Sequence, residues 1–146
     1  MERTFIMIKP DAVQRGLVGR IISRFEDKGL KLVAIDMGVP CRETAEALYA
    51  AHAGQAFYDA LIEFTTSSPT VAMVVEGRNT VEVVRRMVGA RAGTEALPGT
   101  IRGDFSITDG NRNLVHASDN VEDAKREMAI FFEELPEYDL SVKNWL

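Results

Sequence analysis

Cysteine is nearly absent. Cys41 is the one thiol in 146 residues, so no disulfide can close within the chain and a reducing compartment is expected. Long apolar runs are missing too: the longest uncharged one, Val71 to Val75, is far too short for a bilayer-spanning helix. Met1-Glu2-Arg3 leads straight into a strand-like stretch rather than a secretory signal. A cytoplasmic protein with no membrane partner is expected. Positive charge is in deficit, with a net charge of −5, whereas coating nucleic acid requires clustered Lys and Arg. No specific nucleic-acid partner is expected, and any phosphate site must be local. Cys41 and His52 are too isolated for a zinc set. Internal repeats, low-complexity segments and both common phosphate-binding glycine loops are lacking as well.

What remains is an ordinary soluble composition, 46% hydrophobic and 27% charged, which suits one domain over residues 1–146 with a single core. Thr4 to Ile8 is a short β-rich run closed by Lys9-Pro10-Asp11, because proline cannot donate to a ladder. Val18, Ile21, Ile22 and Phe25 recur at helical spacing and Gly29 supplies a left-handed stop. Leu30 to Val39 reads as a second strand. The alanine- and glutamate-rich Arg42 to about His52 reads as a helix, with His52 solvated at its end. Ala56 to Phe64 is a further helix, with Phe57, Leu61 and Phe64 inward and Tyr58 pointing elsewhere. Thr70 to Val75 is the most continuous β-branched run and is expected to be the central strand. Asn79 and Glu82 have capping-box spacing ahead of a helix that buries Val81, Val84 and Val88 and stops near Gly89. The glycine-rich stretch from Gly89 to Asn113 has little periodicity, and loops of that length are usually functional. Leu114 to Ala117 is a last strand. Asp119 and Glu122 then cap a helix with Val121, Ala124, Met128 and Phe131 as its buried stripe and Glu127 beside it. The tail ending Asn144-Trp145-Leu146 is expected to lie along another surface. The order fits a split β-α-β pattern, an α+β fold with a four-stranded antiparallel sheet, helices on one face and a long loop before the last strand.

The stretch Asn-Leu-Val-His-Ala-Ser-Asp, Asn113 to Asp119, places His116 at a strand end just before a helix start. An imidazole with a reference pKa of about 6.5 can be a neutral nucleophile there, splitting one hard displacement into two easier ones. On base rates, a lone histidine beside a strand is more often structural. Lys9 reads equally as a strand-edge lysine, and Arg85 as compensation for its helix dipole. A Ser-His-Asp hydrolase reading of His116, Ser118 and Asp119 is disfavoured, because residues adjacent in sequence seldom form such a triad. Without a glycine loop, phosphates would fall to Arg85, Arg91 and Arg102, whose guanidinium forks suit polyphosphate oxygens. Asp119 could hold Mg²⁺ through water together with nucleotide phosphates, since that ion takes few carboxylates.

Five segments carry a resemblance over nearly the whole length. They are Glu-Arg-Thr-Phe-Ile-Met-Ile-Lys-Pro-Asp from Glu2, Gln-Arg-Gly-Leu-Val-Gly from Gln14, Val-Ala-Met-Val from Val71, Pro-Gly-Thr-Ile-Arg-Gly-Asp-Phe from Pro98 and Asn-Leu-Val-His-Ala-Ser-Asp from Asn113. In these the chain resembles the nucleoside diphosphate kinases. The resemblance implies a ferredoxin-like subunit that moves the γ-phosphoryl of a nucleoside triphosphate onto His116 and then onto a nucleoside diphosphate, with Mg²⁺ on the nucleotide. It implies that Glu127 holds the imidazole's other nitrogen and that Ser118 supports that carboxylate or the leaving oxygens. Lys9 and Asn113 match contacts to ribose and phosphates, Tyr49 a tyrosine beside the reacting phosphate, and Arg85 and Arg102 phosphate-gripping arginines. Tyr58 falls where a phenylalanine stacks on the base, and stacking would give broad base specificity. A homo-oligomer is implied, a hexamer ahead of a tetramer. Three departures stand out: Gln55-Ala56 replaces Arg-Pro, Arg91 replaces a phosphate-touching threonine, and one extra residue falls around Gly110-Asn111. A nucleotide-binding scaffold without turnover and a protein histidine kinase are the competing functions.

Overall fold

The computed structural model describes residues 1–140, so the expected position of Asn144-Trp145-Leu146 lies outside the described residues. Four strands, β1 (Glu2–Ile8), β2 (Lys31–Gly38), β3 (Thr70–Gly77) and β4 (Val115–Ala117), form one antiparallel sheet in the order β2-β3-β1-β4. Around it lie helices α1 (Pro10–Gln14), α2 (Val18–Asp27), α3 (Arg42–Leu48), α4 (Tyr58–Thr65), α5 (Thr80–Val88), α6 (Ile101–Phe105) and α7 (Val121–Phe131).

Helices cover both faces of the sheet, not one. Ile6 and Ile8 face a core shared with α2 and α5, while Phe5 and Met7 face a second core built with α3 and α4. A strand buried on both sides reads as an unbroken apolar run. That explains why β1 and β3 do not alternate. β3 is central as expected, and β1 shares that place, pairing with β3 on one side and β4 on the other.

Two short helices went unseen in the sequence because five residues show no periodicity. Pro10 at the first turn starts α1, where its missing N–H costs nothing, and Thr100 caps α6 by accepting from the Gly103 amide at 2.9 Å. The two expected capping boxes also form differently. At α5, Asn79 adopts φ 49° without capping, and the Glu2 carboxylate accepts from the Val81 amide at 2.8 Å instead. At α7 the cap is Asn120, which accepts from Asp123 at 2.8 Å. That one-residue step exposes Val121 and turns Glu127 inward, while Ala124 is buried as expected.

Candidate active site

Strand β4 is only three residues long, but its alternation decides the site. Val115 and Ala117 enter the first core, so His116 faces the other side, opposite Met7 in the ladder. There its Nε2 donates to Oε1 of Glu127 at 3.0 Å, and the Ser118 hydroxyl donates to the carboxylate's second oxygen. Glu127 and Ser118 are almost fully buried. Nδ1 is thereby the nitrogen without a partner, among the described residues, of a ring that lines a cleft. Tyr49 presents its ring edge-on to His116, centroids 5.5 Å apart, and its own hydroxyl is buried without a hydrogen-bond partner among the described residues. Burial pushes that phenol's pKa up, so it keeps its proton.

The cleft wall brings together Lys9, Arg85, Arg91 and Arg102, with Asn113 and Asp119 beside them. A chain of net charge −5 thus concentrates cations at one place. Lys9 sits where β1 ends and α1 begins, and its ammonium donates to Oδ1 of Asn113 at 2.8 Å and to the Asn111 carbonyl at 3.0 Å. Burial, with the Arg102 charge adding to it, lowers its pKa to about 7. Asn113 in turn donates to the Arg91 carbonyl at 3.0 Å.

Arg102 is a clamp as well as a cation. Its guanidinium donates to the carbonyls of Asn113 at 3.1 Å, Val115 at 2.6 Å and Gly89 at 3.3 Å, which ties the long loop to β4 and to the end of α5. Among the described residues, two of its five N–H groups have no acceptor and are left for a ligand. Burial, together with the Arg85 charge, lowers its pKa to about 10. Gly89 allows the approach: it has φ 90°, and a Cβ there would meet Thr100 Oγ1 at 2.5 Å. Arg85 reaches the site from the last turn of α5 and pairs with Asp119 at 3.2 Å.

Ten of the eleven residues singled out in the sequence converge here; Tyr58 does not. Phe57, just before α4, and Tyr58 both pack against the second core, but the one that lines the cleft wall is Phe57. One residue turns a helical side chain by about 100°. Position alone therefore does not say which of two neighbouring aromatics faces a ligand. The Arg91 guanidinium lies 5.3 Å from the Phe57 ring centroid, within cation–π range. His52, taken in the sequence for a solvated helix end, also lines the cleft, its ring 5.4 Å from Phe57. The signal was its spacing of three from Tyr49, which puts both on one helical face.

Among the described residues no three His, Cys, Asp or Glu side chains cluster to hold a metal by themselves. Asp119 is the carboxylate in the cleft wall and is largely exposed. This donor set fits a cation that arrives on a ligand's phosphates, not one caged by protein.

A buried histidine–carboxylate pair opening onto four cations is an arrangement for phosphoryl transfer, and the comparison with known families agrees. The family model for nucleoside diphosphate kinase matches residues 2–136. The chain belongs to the nucleoside diphosphate kinase family. It is 53% identical to the nucleoside diphosphate kinase of Archaeoglobus fulgidus, covering 100% of this chain and 97% of that one. To the enzyme of Staphylococcus carnosus it is 55% identical over 100% and 98%. Among solved structures, the nucleoside diphosphate kinase family protein of Babesia bovis superposes with a TM-score of 0.94 at 44% identity, covering 99% of both chains. The halophilic nucleoside diphosphate kinase of Halobacterium salinarum in complex with CDP gives 0.93 at 44%, over 99% of this chain and 97% of that one. The α+β fold of this kinase family is therefore the fold of this chain.

Proposed function

We propose that the whole chain is one catalytic domain that moves the γ-phosphoryl group of a nucleoside triphosphate to a nucleoside diphosphate by a ping-pong route through His116. One observation carries this reading: Glu127 occupies Nε2 of His116 at 3.0 Å, so the lone pair of Nδ1 is free on a ring that lines a cationic cleft. In the first half-reaction Nδ1 attacks the γ-phosphorus, an N–P bond forms, and the bond to the bridging oxygen breaks. The leaving diphosphate takes the electron pair. A second diphosphate reverses the step with its terminal oxygen as nucleophile.

The remaining roles follow from position. Glu127, buttressed by Ser118, keeps the proton on Nε2 and offsets the positive charge that builds on the ring. Lys9, Arg85, Arg91 and Arg102 neutralise phosphate oxygens, and free N–H groups of Arg102 are already aimed by its three backbone bonds. Asn113 and Lys9 bind ribose and phosphate as a pair, Tyr49 offers its hydroxyl to the reacting phosphate, and Phe57 stacks on the base. A π-face tolerates every base, so broad nucleoside specificity follows. Mg²⁺ arriving on the nucleotide would supply charge neutralisation, and Asp119 is the residue that would help hold it. The protein works as a cytoplasmic homo-oligomer, a hexamer ahead of a tetramer. The half-exposed Ile35, Met37 and Val39 at the β2 edge support this, since an apolar sheet edge favours a partner.

The test is incubation with γ-labelled ATP and Mg²⁺, with and without GDP, CDP or TDP. An acid-labile label on the wild type, discharged by several diphosphates and absent from His116→Ala, is expected. Binding without labelling would leave a scaffold, and transfer to a protein in the absence of diphosphate would point to a protein histidine kinase.

A further inference from the structure

The chain enters β4 through a conformation that few side chains adopt. Leu114 has φ 75°, and the Val115 amide donates to the Asn113 carbonyl at 2.9 Å, which closes a three-residue γ-turn around it. Leu114 is fully buried, so neither of its backbone polar groups can turn to water. Its carbonyl accepts from the Lys9 amide at 2.8 Å. Its amide donates to Oδ2 of Asp11 at 3.1 Å.

We propose that Asp11 is a positioning residue: through the Leu114 amide it holds the γ-turn that presents Asn113 and Lys9 to the nucleotide, and it does not act on the nucleophile. The inference rests on the kinase reading above. Without that acceptor the buried amide is orphaned, and the favourable way out is for Leu114 to leave positive φ. Asn113 would then swing away from the Lys9 ammonium and the Arg91 carbonyl that it now bridges. His116 is anchored separately, opposite Met7 in the ladder and by Glu127. The two halves of the site therefore respond differently. Asp11 lies on the short α1 and is half-buried, its other oxygen without a partner among the described residues, and burial raises its pKa. An ordinary helix-start aspartate would face water.

The experiment compares Asp11→Ala and Asp11→Asn. Calorimetry should show ADP affinity falling about tenfold or more in Asp11→Ala and largely recovering in Asp11→Asn, whose amide oxygen still accepts from Leu114. Labelling of His116 by γ-labelled ATP should slow in parallel. Labelling by phosphoramidate, a small donor that needs neither Asn113 nor a base site, should stay at the wild-type rate. Should Asp11→Ala fail to fold, Asp11→Glu replaces it: the charge stays near Lys9 while the acceptor moves, and the same loss is expected. Wild-type ADP affinity in Asp11→Ala overturns the proposal. So does an equal loss of ATP and phosphoramidate labelling, which is the mark of general damage, and so does an Asn variant as weak as Ala, which would make charge the cause. A wild type that takes no label from ATP sinks the kinase reading instead, and the ADP arms still decide the role of Asp11.

Discussion

Oε1 of Glu127 lies 3.0 Å from Nε2 of His116, while the other carboxylate oxygen accepts from Ser118. One buried carboxylate thus fixes both which ring nitrogen carries the proton and which way the ring faces. A charge-assisted bond of this kind is worth about 1.5–3 kcal/mol, or roughly 10- to 100-fold in rate. Glu127→Ala should lose kcat by about that factor with little change in ADP affinity, because no nucleotide contact is removed. Stopped-flow labelling measures the first quantity and calorimetry the second; a change confined to affinity would place Glu127 elsewhere in the mechanism.

Lys9 gives a pH test with a definite sign. Its folded pKa is about 7 against an ordinary 10.5, so between those values the unfolded chain binds more protons than the folded one. Stability from this group therefore rises with pH across that window. Between about pH 7.5 and about pH 9 the gain approaches about 2 kcal/mol at most. Lys9→Met should show a smaller rise than wild type in urea midpoints over the same range. Parallel curves for the two proteins would contradict the burial assigned to this amine. Phosphate favours the ammonium form, so ADP binding at about pH 8 should also take up protons, read from calorimetry in buffers of different ionisation enthalpy.

How much of this was legible beforehand divides along physical lines. β1, β3, α2 and α5 were readable because their patterns run over whole turns or whole strands, and His116 because it sits between a strand and a cap. Helices α1 and α6 were not, since five residues cannot display a period. The cap of α5 was misplaced for another reason: the acceptor that matters there, the Glu2 carboxylate, is 79 residues away in sequence. Asp11 was missed likewise, because its partner Leu114 is 103 residues distant. Long-range hydrogen bonds leave no local trace. The exchange of Phe57 for Tyr58 is the finest of these errors, a single residue at a helix start.

Arg91 over Phe57 is a contact that two departures from the usual family pattern surround, at Arg91 itself and at Gln55-Ala56. A partly exposed cation over a ring contributes about 0.5–1 kcal/mol, and the same charge faces the phosphate end of the cleft. Arg91→Thr should raise KM for ATP about three- to tenfold and leave kcat within about twofold. The increase should shrink as salt screens the charge. Steady-state kinetics at low and high ionic strength settle this; a large fall in kcat with unchanged KM would make Arg91 a group that acts only in the transition state.

Tyr49 separates stability from activity. Its hydroxyl is buried with no hydrogen-bond partner among the described residues, and an unsatisfied buried hydroxyl costs about 1–3 kcal/mol. Tyr49→Phe removes the orphan while keeping the ring edge against His116. The variant should therefore be as stable as the wild type or more so, by up to about 1 kcal/mol, yet take up label from ATP more slowly if that hydroxyl meets the reacting phosphate. Thermal midpoints and single-turnover labelling read the two effects separately. A variant that is destabilised would show that the hydroxyl already has a partner in the free protein. A variant labelled at the wild-type rate would confine Tyr49 to packing beside His116, and its buried orphan would then have no functional return.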